Sequence, residues 1–463
     1  MPTAIGGIAG LPFLGSLRSG AIGVWVRETF SALHVRNYRL FFFGHGMSMI
    51  GTWMRRTAMG WLVYEITGSL SLLGTVMALA LLPLFLFAPI AGMMADHFDK
   101  RRVILISQVL SGIVSAALAA IVWMGDPAVW QIMVLAALGG CAFALEVPAR
   151  QAFVVEMVGK DRLLNAIALN SALINLTRTV GPALAGLIMG TVGMAACFAL
   201  DAWSYLVVIY TLVALRLPPH KPRVETMSRL RQLTEGVRIV FSEPTVRLVL
   251  FLLLTTGIFG WAFQSLLPAI AQDNLRVSEA RYGVLMSMFG VGAIAGALVT
   301  ASRARSPNRL RQMYMGAWAM IAGLLFMAFS RAFWPMCVAL LVSGFGGVLF
   351  VSTGNTMVQL SVADKVRGRV MGIWALAFGG SLPLGSWIGG HLANAIASRA
   401  PSSIPLLGRS KWIADEFLGP NAAYFTIAFF AFILLGCVLS SLIFLHPSAR
   451  MSERNPTAQP EEV

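Results

Sequence analysis

Three acids and three bases lie within or at the ends of stretches of this sequence that are otherwise apolar, and they are its candidates for chemistry. The acids are Asp201, Glu146 and Glu65; the bases are Arg55, Arg56 and Arg178. A charge inside an apolar helix costs at least about 2.5–3.5 kcal/mol, so each needs a purpose. A carboxyl in a low-dielectric setting can exchange its proton near neutrality, whereas an adjacent guanidinium keeps it ionised. Asp201, one or two turns into its apolar run, is the candidate for reversible protonation. The alternative is a structural hydrogen bond to Trp203 or to a neighbouring helix. Glu146, just before Pro148 at the end of a run, fits a charge network with Asp96 and Arg150, and Glu65 fits a membrane interface. The bases belong to longer polar stripes. His45, Ser48, Thr52 and Arg55 or Arg56 recur at steps of three and four, as do Ser171, Asn175, Arg178 and Pro182, and then Gly260, Gln264 and Pro268. Such stripes face a cavity or another helix rather than lipid. Arg55, Arg56, Asn175, Arg178 and Gln264 are therefore candidates for lining a solute path. The competing reading is interhelical hydrogen bonding, with Arg55 and Arg56 snorkelling to the surface. Adjacent residues do not share a helix face, which favours Arg56 over Arg55.

The elements that position these residues follow from composition. Hydrophobic residues make up 57% of the 463-residue chain and charged residues 12%, against about 45–50% and about 25% in soluble domains. Apolar runs lie near 38–66, 71–94, 103–124, 129–149, 165–190, 195–216, 245–270, 281–302, 310–330, 334–360, 369–397 and 422–446. About twenty such residues cross a bilayer core of about 30 Å as a helix. The runs are continuously apolar, which excludes the alternating strands of an outer-membrane barrel. The expectation is an all-α integral membrane protein with twelve transmembrane helices.

Gly139-Gly140 in the fourth run echoes Gly346-Gly347 in the tenth. Gly186 near Pro182 echoes Gly385 near Pro383. With the long basic loop dividing the runs six and six, this suggests two pseudo-symmetric six-helix bundles around a central cavity. The expected organisation is a tail over 1–37, a bundle over 38–216, a linker over 217–243, a bundle over 244–446 and a tail over 447–463.

The formal charge of +15 does not indicate a nucleic-acid partner, because the bases occupy short loops. With twelve spans, only Arg276, Arg281, Arg331, Arg399, Arg409 and Lys411 fall on the side opposite the termini, and Arg55, Arg56 and Arg178 within spans. All the remaining Lys and Arg lie on the side of the termini, which places both termini and the linker in the cytoplasm. No signal peptide is expected, since Arg18 is the first basic residue. The four cysteines all fall in apolar runs without metal-site spacing, and the six histidines are scattered. Gly159-Lys160 is followed by Asp161, not by the Ser or Thr of a nucleotide-binding loop. No metal, cofactor or enzymatic activity is expected.

The link between the second and third runs carries a family likeness. Gly92, Asp96, Phe98, Lys100, Arg101 and Arg102 are similar to the signature loop of the major facilitator superfamily, with His97 in place of a base and Asp99 in place of a Gly. The stretch 178–186, with Gly181, Pro182 and Gly186, resembles the fifth-helix signature of that superfamily's proton-driven exporters. Residues 37–69 and 148–153 resemble the branch containing bacterial macrolide and enterobactin exporters. The resemblance covers about 36–446. It implies a secondary active transporter of a small amphipathic or hydrophobic compound, coupled to protons and working by alternating access in the inner membrane, expected as a monomer. It also implies a gate formed by Gly92, Asp96, Lys100, Arg101 and Arg102 with Glu146 and Arg150, and a packing role for Gly181, Pro182 and Gly186. Uptake or lipid movement by the same fold remains open, as does a non-transporting receptor or scaffold.

Overall fold

The computed structural model describes residues 30–159, 161–215, 229–303, 308–399 and 419–444. A first set of six helices comprises α1 (Arg36–Thr67), α2 (Leu70–His97), α3 (Lys100–Trp123), α4 (Val129–Val158), α5 (Leu163–Thr191) and α6 (Met194–Ala214). A shorter α7 (Arg229–Ser242) leads to the second set. There the seventh span divides into α8 (Pro244–Thr255) and α9 (Phe263–Ala269), separated by a π turn at Thr256–Gly260 and followed by another at Ile270–Asn274. Then come α10 (Glu279–Ser302), α11 (Arg309–Phe329), α12 (Phe333–Leu360), α13 (Asp364–Arg399) and α14 (Gly419–Phe444).

Eleven spans among the described residues are long and apolar enough to cross a membrane. The twelfth is α1, which has 32 residues and packs among the others. Its polar stripe lowers its apolarity because that face is turned away from lipid. Large apolar side chains elsewhere point outward. Trp123 is 84% exposed, and Trp130, Phe329 and Trp334 are exposed at helix ends on the side away from the termini. Aromatic rings at that level suit the edge of a bilayer.

Short connections are closed by local chemistry. Gly68 ends α1 with φ +58°, a conformation glycine adopts without strain. Ser69 caps α2 by accepting from Leu72 N at 3.3 Å. Asp99, standing where the superfamily has glycine, accepts from Arg101 N at 2.9 Å and caps α3. Asp99 thus starts the next helix.

The two sets repeat one packing scheme. In the first, α2 packs on α4 and α3 on α6; in the second, α10 packs on α12 and α11 on α14. Between the sets α2 meets α13 and α10 meets α5, and each contact maps onto the other when six spans are added. Glycine makes both crossings close. A Cβ on Gly186 would stand 2.6 Å from Glu279 O and 2.8 Å from Gly283 Cα; one on Gly74 would stand 2.5 Å from Ser386 O and 2.9 Å from Gly390 Cα. The symmetric counterpart of Gly186–Gly283 is therefore Gly74–Gly390. Gly385, paired with Gly186 from sequence, instead packs on the first π turn, where its Cβ would lie 2.3 Å from Ile258 O.

Both glycine crossings lie toward the end away from the termini. There Tyr64 donates its hydroxyl hydrogen to Asp273 Oδ2, and Gln272 Nε2 donates to Trp61 O at 3.1 Å. Toward the other end, a Cβ on Gly368 or Gly372 of α13 would meet nothing within 4 Å. Among the described residues the close glycine contacts between the bundles run from that end to mid-span, where a Cβ on Gly290 would lie 2.8 Å from Thr179 Cα, and do not reach the end that bears the termini.

Candidate functional site

A cavity of about 400 Å³ lies between the bundles. The polar face of α1 forms one wall with His45, Ser48, Thr52, Arg55 and Arg56. Glu146 and Arg150 come from α4, and Arg178 from α5. From the second bundle Trp261, Gln264 and Pro268 face it, with Tyr282 and Met286 of α10 and Phe378 and Ser386 of α13. The volume falls in the range of about 300–1,000 Å³ typical of small-molecule sites.

Behind the α1 wall sits an ion pair. Asp201 is 0% exposed, and its Oδ2 accepts from Arg55 Nε at 2.8 Å and from Ser115 Oγ at 2.6 Å. One carboxylate thus ties α6 to α1 and α3. Gly51 makes room for it, since a Cβ there would meet Asp201 Oδ1 at 2.5 Å. That Oδ1 has no hydrogen-bond partner among the described residues. Trp203, the partner considered from sequence, is exposed on the far face of α6 and does not serve. Beside the pair, the Thr52 and Tyr205 hydroxyls lie 3.1 Å apart.

Toward the termini, Glu146 Oε1 lies 3.2 Å from Arg150 Nε and 3.7 Å from His45 Nδ1, all three residues being buried. Arg56 and Arg178 take another arrangement. The guanidinium of each lies 5.4 Å from the centre of the Trp53 ring, and that of Arg56 is 5.3 Å from Phe143. Neither has a carboxylate partner among the described residues. Arg55, at 7% exposure, does not snorkel to the surface; it turns inward to Asp201.

Arg55, Arg56, Arg178 and Gln264 all border the cavity, so adjacency did not separate the two arginines: one reaches through the wall and the other lies along it. Asn175 is not on the wall, and its Nδ2 donates to Ser171 O in its own helix at 2.9 Å. Gly181 and Gly186 are contact points, the first against Trp53 of α1, where a Cβ would lie 2.5 Å from Trp53 Cβ. Pro182 is buried inside α5, and its carbonyl oxygen lies against Gly283.

In the signature loop, Lys100 Nζ lies 2.5 Å from Glu156 Oε1, Arg101 Nη2 donates to Val213 O at 2.9 Å, and Arg102 Nε is 3.9 Å from Asp99 Oδ2. These contacts stay within the first bundle. Gly92 and Asp96 belong to the last turns of α2, and the side chain of Asp96 lies outside the described residues. Sequence reasoning missed Gln108, Ser111 and Ser115, which share one face of α3 at steps of three and four. Ser111 borders the cavity, Ser115 holds Asp201, and Gln108 Oε1 accepts from Ser48 Oγ at 3.4 Å.

Two pseudo-symmetric six-helix bundles enclosing a cation-lined cavity define a membrane transporter, not an enzyme. The fold recurs in a nucleoside transporter, NupG (TM-score 0.66, 13% identity, 88% of this chain and 98% of that one). It recurs also in a bacterial homologue of the human lysosomal transporter Spinster (TM-score 0.64, 12% identity, 90% and 97%). Residues 27–404 match the transmembrane secretion effector family, and the chain belongs to that family of the major facilitator superfamily. Among its relatives are the staphyloferrin A transporter of Staphylococcus aureus, 25% identical over 75% of this chain and 87% of the relative, and the enterobactin exporter EntS of Escherichia coli, 29% identical over 70% and 78%. The multidrug efflux pump Tap of Mycolicibacterium fortuitum is 29% identical over 79% and 90%.

Proposed function

We propose that this chain exports a small amphipathic or hydrophobic compound, drug-like or siderophore-like, in exchange for protons across the inner membrane. The observation that carries the proposal is the cavity between two bundles whose close glycine contacts, among the described residues, run from the end away from the termini to mid-span and not to the opposite end. Such a joint lets the bundles rock, exposing the cavity to each side in turn. The distribution of Lys and Arg supports a cytoplasmic position for the end bearing the termini, and with it loading of the site from inside. The names of the siderophore and drug exporters among the relatives support the direction and the substrate class. The functional units are the bundles over 38–216 and 244–446, the linker over 217–243 and the tails, in a monomer.

Asp201 is the proton site on this reading. While paired with Arg55 it stays ionised; once the pair parts its unbonded Oδ1 takes a proton, and neutralising the carboxylate then removes the tie that holds α1 to α6 and α3. The signature loop, with Asp96, Glu146 and Arg150, acts as the gate on the cytoplasmic side. The test is flux of an amphipathic fluorescent drug into proteoliposomes of known orientation under an imposed pH gradient. Asp201→Asn should abolish gradient-driven accumulation while leaving exchange of labelled for unlabelled drug intact. Asp96→Asn should slow turnover without weakening binding. Flux indifferent to the gradient in the wild-type protein would sink the coupling. Net movement only toward the cytoplasmic face would replace export by uptake.

A further inference from the structure

The polar atoms around the cavity are unevenly matched. Arg55 is neutralised by Asp201 and Arg150 by Glu146. Arg56 and Arg178 remain, both with the guanidinium 5.4 Å from the centre of the Trp53 ring and both without a carboxylate among the described residues. Among the described residues Arg178 Nε is buried with no acceptor, and across the cavity so is the Trp261 indole N–H. Each is an unmet donor in a residue of the cavity wall, and an unmet buried donor is costly. A guanidinium lying against an aromatic ring keeps its edge N–H groups directed sideways, the geometry that grips a carboxylate with two parallel hydrogen bonds. The same cavity carries an apolar lining from Met59, Leu81, Met286, Phe378 and Leu382.

We propose that Arg56 and Arg178, braced on Trp53, form an anion-binding site within the cavity, which takes the carboxylate or similar flat oxyanion of an aromatic or otherwise apolar solute. The apolar body lies in the main cavity, toward Met286, Phe378 and Leu382, and Trp261 and Gln264 stand on the same wall. The proposal deepens the transport reading and rests on the cavity's being the transport site. It narrows the cargo from any amphipathic compound to one bearing a delocalised negative charge.

The test is binding to the purified full-length protein in detergent, by equilibrium dialysis with 2-naphthoate and its neutral counterpart 2-naphthamide as probes. The wild-type protein should hold the acid at least about tenfold more tightly than the amide. Arg178→Gln and Arg56→Gln should each weaken the acid about tenfold to a hundredfold, the range for a hydrogen bond to a charged group, and weaken the amide by much less. Arg178→Lys should recover part of the loss. Equal affinity for acid and amide, undetectable binding of the acid, or full affinity in both Gln variants would each overturn the site. Thermal unfolding and gel filtration establish that a variant is folded; should Arg178→Gln not fold, Arg56→Gln and Arg178→Lys carry the comparison. Flux is read separately in proteoliposomes. Selective binding without movement of the acid would keep the site and remove the transport reading.

Discussion

Placing one methyl group at the crossing of α5 and α10 should open the closed end of the molecule. In Gly186→Ala the new Cβ would stand 2.6 Å from Glu279 O and 2.8 Å from Gly283 Cα. Both obstacles are backbone, so no rotamer change relieves them. Restoring an ordinary contact of 3.4 Å requires the helices to part by about 0.8 Å. Overpacking of this kind costs about 1–3 kcal/mol. The cost falls only on the arrangement in which this end is shut, so it shifts the balance toward the opposite arrangement by about 5- to 150-fold. Spin labels at Val192 and Ser278, in a background without native cysteines, report the distance between the ends of α5 and α10. Electron–electron double resonance should show a longer population gaining weight in Gly186→Ala. Gly283→Ala, whose Cβ would meet Pro182 O at 2.5 Å, should act the same way. A distance distribution identical to that of the unsubstituted protein in both variants would refute the claim that this contact holds the end closed.

Other outcomes follow from the same geometry. Arg55→Gln leaves Asp201 buried without its cation, and should lower stability by about 3–5 kcal/mol in detergent thermal unfolding. Adding Asp201→Asn should recover much of that loss. Asp99→Ala removes the α3 cap and should cost about 1 kcal/mol. Lys100→Gln, whose partner Glu156 is half-exposed, should cost about 0–1 kcal/mol in the same assay. Tyr64→Phe deletes one bond between the bundles to the exposed Asp273, worth about 1 kcal/mol. Its shift in the Val192–Ser278 distance distribution should be smaller than that of Gly186→Ala.

The spans were readable in sequence because lipid demands long uninterrupted apolar helices, and the stripe of α1 was readable because polar side chains avoid lipid. The partners within the stripe were not. Arg55 and Asp201 are 146 residues apart, and spacing along one helix says nothing about which other helix it meets. Asn175 kept the period of its stripe, yet its amide turned back on its own backbone. The face formed by Gln108, Ser111 and Ser115 obeyed the same periodicity and was open to the same reading, but hydroxyls give a weaker signal than charges.

The linker shows a different limit. Residues 217–243 read as a basic loop, but part of it is α7, lying against α13. There Glu235 pairs with Arg369, and a Cβ on Gly236 would lie 2.8 Å from Ile373 Cδ1. Basic and apolar residues alternate there at helical steps, a pattern hidden by the loop's overall charge.

The interrupted seventh span has a consequence for how this chain tolerates change. Each π turn holds one residue more than an α-helical turn would, and a residue advances a helix by about 100°. Gln264 and Pro268 therefore owe their aim to residue counts on either side, as a key owes its fit to where its notches begin. Removing one residue from Thr256–Gly260 would leave every side chain chemically intact and swing Gln264 off the cavity. In this segment insertions and deletions, more than substitutions, are the errors the protein cannot absorb.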